Sequence, residues 1–128
     1  MSHRITAVLA AGSLLAAPVA LIATAPSAHA DVERHGKCGP GVYDFSVDRE
    51  GAGFEVSADV DGLRPGSRWK VVLRHDGTKI ASVTRRADRE GDIDVERYAR
   101  DTSGADKFMM MVKRVGGTAS CGASITVR

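Results

Sequence analysis

Beyond residue 30 the chain reads as an all-β domain of two packed sheets, on three observations. Apolar and polar residues alternate with period two in short runs, as half-buried strands require. Clusters of Gly, Pro and Asp interrupt these runs about every eight to twelve residues. No window carries the three-to-four spacing of an amphipathic helix.

The strands can be phased in order. Tyr43, Phe45 and Val47 alternate with Asp44 and Ser46. After Asp48-Arg49-Glu50-Gly51, the apolar set Phe54, Val56, Ala58 and Val60 alternates with Glu55, Ser57 and Asp59. The segment Asp61-Gly62-Leu63-Arg64-Pro65-Gly66 breaks the chain before Trp69, Val71 and Leu73, which alternate with Lys70, Val72 and Arg74. Asp76-Gly77 is the strongest hairpin signal, because a two-residue type I′ turn needs φ > 0 at both positions. That turn is expected to pair Leu73 with Ile80 and to leave Lys79, Val83 and Arg85 facing outward. Ile93 and Val95 alternate with Asp92, Asp94 and Glu96; Phe108, Met110 and Val112 alternate with Lys107, Met109, Met111 and Lys113. Gly116-Gly117 turns into a last strand with Cys121, Ala123, Ile125 and Val127 on one face. Seven strands and a single Trp, Trp69, match an immunoglobulin/fibronectin-like sandwich, with Trp69 in the core. A small closed barrel is the alternative fold.

The first thirty residues have a different character. Met1-Ser2-His3-Arg4 is a short basic start, Ile5 to Ala28 carries no charge, and Ala28-His29-Ala30 is a small-x-small cleavage pattern. The expectation is a signal peptide over 1–30 and a single domain over 31–128, secreted or wall-associated and without a transmembrane anchor after cleavage. Pro18 and Pro26 and the Ala-rich composition argue against an uncleaved span.

Outside the cell disulfides form and persist. Cys38 and Cys121, near the two ends of the domain, are expected to pair, joining the first and last strands; free thiols or an intermolecular bridge are the alternatives. All 16 Asp and Glu and 17 of the 18 Lys and Arg follow residue 30, a net charge of about +1 (17 − 16) with His neutral. That balance argues against nucleic-acid binding. The chain has no Asn or Gln, so polar recognition falls to charges, hydroxyls and backbone.

With the usual strand order for such sandwiches, strands one, two and five form one sheet, whose outward residues include Asp44, Glu55, Asp59, Asp92, Asp94 and Glu96. The other sheet presents Lys70, Val72, Arg74, Lys107, Met109, Met111 and Lys113. This basic, partly apolar face is the candidate binding face, because exposed Met suits adaptable contacts. The expected partner is extracellular or in the envelope, and anionic; self-association of the acidic face on the basic one is a further expectation. Solvated strand charge is the plainer reading of the same residues.

Other motifs carry less. Asp92, Asp94 and Glu96 sit in a row on one strand, a poor convergence for a hard cation. Asp59-Val60-Asp61-Gly62 lacks the later ligands of a calcium loop. His35 falls in the N-terminal segment, read as irregular, and His75 reads as a hairpin-end residue. No nucleophile elbow or zinc helix is present. The expectation is a protein that is not an enzyme, with no catalytic residues, no metal and no cofactor.

The run Trp69-Lys70-Val71-Val72-Leu73-Arg74-His75-Asp76-Gly77, the later Gly104-x-Asp106-x-Phe108 and the flanking cysteines resemble an uncharacterised family of small secreted actinobacterial β-sandwich proteins. The resemblance implies export, the sandwich fold and the bridge, and assigns no catalytic residues. The functional expectation is a secreted, non-enzymatic binding or envelope-associated module. A carrier of a small apolar molecule is one alternative. A protease inhibitor presenting 97–106 or 61–67 as its exposed loop is another.

Overall fold

The computed structural model describes residues 32–128, so the expected signal peptide lies outside the described residues. Eight strands follow one another: β1 (Val32–Cys38), β2 (Gly41–Glu50), β3 (Gly53–Asp61), β4 (Arg68–His75), β5 (Thr78–Arg86), β6 (Ile93–Arg100), β7 (Asp106–Arg114) and β8 (Ser120–Val127). They form two antiparallel sheets, ordered β1-β2-β3-β6 and β5-β4-β7-β8. The expected division between sheets holds, and β1 is added at the edge of the first.

Each sheet turns its apolar phase inward. Phe45 and Val47 from β2, with Phe54, Val56, Ala58 and Val60 from β3, meet Trp69, Val71, Leu73, Phe108, Met110, Val112 and Ile125 of the other sheet in one core. Phe54 and Phe108 join the layers edge to face at 5.2 Å between centroids. Trp69 is fully buried, and its Nε1 donates to Ser67 Oγ at 2.8 Å, so its polar atom is satisfied inside.

Cys38 at the end of β1 is bonded to Cys121 at the start of β8. The bridge clips the two sheets together along one side of the sandwich. Among the described residues no helix is long and apolar enough to cross a membrane.

Two expectations need correction. The segment holding His35 is a strand, so the sandwich has eight strands and not seven. Val32 to Cys38 pair residue for residue with Val47 to Gly41. The segment carries little apolar alternation because β1 is an edge strand with mostly exposed side chains. Its place comes from the tight turn at Gly39-Pro40, the ladder with β2 and the disulfide.

The second correction concerns β5. Asp76 (φ 49°) and Gly77 (φ 86°) both take positive φ, as the type I′ turn requires. A register shift between Leu73 and Arg74 then pairs Leu73 with Ala81, and Ile80 has no register partner. One extra residue reverses the phase beyond it. Ala81 and Val83 therefore join the inward row with Leu73 and Val71, Arg85 stands opposite Trp69 in register but stays exposed at the edge of the sheet, and Ser82 and Thr84 turn outward. Lys79, before the shift, pairs with Arg74 as expected for an outward residue.

Candidate functional site

The seven residues of the candidate face lie together on the outer side of the second sheet. Lys70 stands opposite Lys113, Val72 opposite Met111, and Arg74 opposite Met109; Lys107 lies one step further along β7. On β8 the same rows end in Ser120, Gly122, Ser124 and Thr126. Arg68, opposite Arg86, extends the face beyond Lys70. Among the described residues these rows contain no Asp or Glu.

The rows enclose two adjoining hollows. Met109 and Met111 are 41% and 54% exposed and rise beside Gly122, where β8 offers no side chain. With Val72, Arg74 and Ser124 they border a mainly apolar groove of about 350 Å³. Gly122 is bare for a reason: a Cβ there would lie 3.0 Å from the Met110 carbonyl oxygen. One strand step away, Lys70 and Lys113 border a shallower hollow of about 540 Å³ against Gly116, Gly117 and Thr118. Arg74 is held in place by donating from Nη1 to Gly77 O at 3.0 Å.

The outer side of the first sheet is mainly acidic, with Lys37 on β1 and Arg100 on β6 as basic members near its ends. Asp44, Asp59 and Asp94 stand directly opposite one another across three strands, with His35 closing the row on β1. His35 contacts Asp44 and Glu33. Partial burial, then repulsion from Asp94, Asp61, Glu96 and Asp44, holds the Asp59 carboxyl above the usual carboxylate range. Glu55 is also raised, by a hydrogen bond with Glu50 and then by repulsion from Glu50, Glu96 and Asp48. Asp92, expected in this row, sits instead in the loop before β6, where its amide donates to Asp88 Oδ1. Its carboxyl is raised by burial and then by Asp61.

A third cluster escaped the sequence reading. His75 is stacked on Phe108 at 4.5 Å, and its Nε2 lies 2.6 Å from Asp106 Oδ1. The same carboxylate oxygen accepts from Thr102 Oγ1 at 2.6 Å and from the Thr102 amide at 3.2 Å. Asp76 accepts from the Lys107 amide and from Thr102 Oγ1. Burial raises the Asp106 carboxyl, but hydrogen bonds with Thr102, His75 and Asp101 outweigh it and leave the group below its usual range. Thr102 bonds to the two carboxylates, so this is a Thr–Asp–His knot that ties the loop 101–105 to the β4–β5 hairpin. It lacks the hydroxyl-to-imidazole contact that nucleophile activation needs. The signal was present: Asp106 occupies the inward phase of Phe108, Met110 and Val112, and a charged residue there demands partners.

Two groups among the described residues bring metal-ligand atoms within 4.8 Å of one another: His75, Asp76 and Asp106, and Asp88, Glu90 and Asp92. In the first, a cation would compete with the bonds just described. In the second, Asp88 Oδ1 already accepts from the amides of Glu90 and Asp92.

The two loops considered for inhibition are both tethered. Residues 97–100 belong to β6, and Asp101 pairs with Arg49 at 3.0 Å. In the other loop, Leu63 and Gly66 donate their amides to Gly91 O and Ala87 O.

No protein-family model matches the sequence, and no curated protein is similar to it. Among solved structures, the chain is similar to one described as an endonuclease/exonuclease/phosphatase from Beutenbergia cavernae DSM 12333. The TM-score is 0.46 at 18% identity, over 75% of this chain and 27% of that one. The match thus spans little more than a quarter of that protein, and a likeness at this level carries no activity over to this chain.

Proposed function

We propose that the protein is a secreted, non-enzymatic binding module whose second sheet docks an anionic partner with apolar parts. The observation that carries this reading is the adjacency of the two hollows. An apolar group can enter beside Met109, Met111 and Gly122 while an anionic group meets Lys70 and Lys113 one strand step, about 7 Å, away. The absence of carboxylates from the face's described rows favours an anion throughout its approach. A disulfide joining the first and last strands is compatible with an extracellular setting.

The reading is tested with a soluble alkyl phosphate and its neutral alcohol, observed at the Met109 and Met111 methyl groups by NMR. The expected result is a saturable shift with the phosphate that weakens in high salt and in Lys70→Glu/Lys113→Glu. Equal responses to both compounds, unaffected by salt, would overturn the anionic reading. They would favour simple carriage of a small apolar molecule, for which the 350 Å³ groove is of adequate size.

A further inference from the structure

We infer that the partner of the basic face is the acidic face of a second copy of this chain, docked head to tail. The inference rests on the proposed docking role of the second sheet and names its occupant. Charge is the first argument. The outer rows of β2, β3 and β6 place Asp44, Asp59, Asp94, Glu55 and Glu96 on one plane, with Arg100 at its edge, and the opposite plane presents Lys70, Lys113, Arg74 and Lys107. Like charges directly opposite one another are unfavourable on each sheet separately. Cations brought over the carboxylates relieve both sets at once.

Spacing is the second argument. Among the described residues the acidic face has one exposed aromatic, Tyr98, 54% accessible, opposite Glu55 and with its hydroxyl end over Gly53. Glu96 lies two residues before it on the same side of β6. The basic face repeats this arrangement in complement: Met111 borders the apolar groove, and Lys113 lies two residues along the same side of β7. The separation within each pair is one strand repeat, about 7 Å. A Tyr98 ring seated on Met111 beside Gly122 brings Glu96 to Lys113, with sulfur against the ring edge.

Area sets the strength. Four strands about 4.8 Å apart, each some eight residues long, make a face of roughly 500 Å². Covering one face on each partner buries about 1,000 Å², the lower bound for specific recognition. The contact is therefore weak, salt-sensitive and matched to high local concentration. It is also heterologous, so each added copy leaves one acidic and one basic face free to continue the chain.

Sedimentation velocity over a concentration series, with one-sided variants, tests the inference. Glu96→Lys/Tyr98→Ser removes the acidic donor, and Met111→Ser/Lys113→Glu removes the groove; all four positions are exposed strand residues. Wild-type protein is expected to gain mass with concentration at low salt and to lose it at high salt. Each variant alone should stay monomeric, and their equimolar mixture should form a one-to-one dimer that grows no further. Asp94→Lys with Lys70→Glu, mixed in the same way, gives an independent pair should either first variant melt early. Wild-type protein that stays monomeric at millimolar concentration and low salt would overturn the inference, as would a mixture that forms no dimer. A monomer that still binds the alkyl phosphate separates this failure from failure of the docking role itself.

Discussion

The outer faces of the two sheets share one pleat and one core, yet they handle crowded charge in opposite ways. On the first, Asp44, Asp59 and Asp94 are short side chains fixed directly opposite one another. They stay close together, and burial first, then the repulsion of its neighbours, raises the Asp59 pKa. On the second, Lys70 faces Lys113, but long aliphatic stems let the ammonium groups separate while the methylenes cover the sheet. Val72, in the outward phase, is only 8% exposed beneath these longer neighbours. A face of short acids stores repulsion, whereas a face of long bases and methionines has room for a groove. The near-neutral net charge conceals both.

The largest effect should come from the link that keeps the two faces on one body. Cys38→Ser with Cys121→Ser opens a loop of 83 residues, and chain entropy puts the loss at about 4–5 kcal/mol. Denaturant titration measures it. A loss well under this range would show that the β1–β2 ladder and the core hold the edges unaided.

The next effect belongs to the end of the second sheet. Asp106→Asn removes the charge from three hydrogen bonds made by His75 and Thr102, with an expected cost of about 2–3 kcal/mol at neutral pH. The folded-state pKa of Asp106 lies below its unfolded value. Its contribution is therefore fully present above the unfolded pKa, about 3.9, and is lost as pH falls through the folded one. Acid melts of the variant should lack that part of the decline; a variant that loses stability with acid as the wild type does would remove Asp106 from the account.

The smallest effect, of opposite sign, lies on the first sheet. Asp59→Asn relieves the carboxylate row and should stabilise the protein by a few tenths to about 1 kcal/mol at neutral pH. The folded pKa of Asp59 is raised, so its penalty is present above that value. The penalty eases as pH falls through the raised pKa and is gone below the unfolded one. Mild acidification should therefore stabilise wild-type protein slightly, and Asp59→Asn should reduce the gain, leaving the part that Glu55 and Asp92 contribute. A variant less stable than wild type at neutral pH would show that the row is not strained.

Much of this was legible because period-two alternation is a local property. Trp69, Phe108 and Ile125 declared their inward phase by their neighbours, and the division of strands between sheets followed from the usual sandwich order. β1 was not legible, since an exposed edge strand has almost no apolar phase of its own and is placed by its partner. The outward sides of β4 and β7 could be phased, but the hollow beside Gly122 needed β8 laid next to β7.

By itself the sequence determined the all-β class, the inward residues of most strands and the opposition of an acidic set to a basic one. Each of these depends on side chains a few positions apart. Only the tertiary structure decided the register shift that reverses β5, the alignment of Asp44 with Asp59 and Asp94, and the meeting of His75 with Asp106 and Thr102. These depend on which strand lies beside which, and one inserted residue changes every pairing after it.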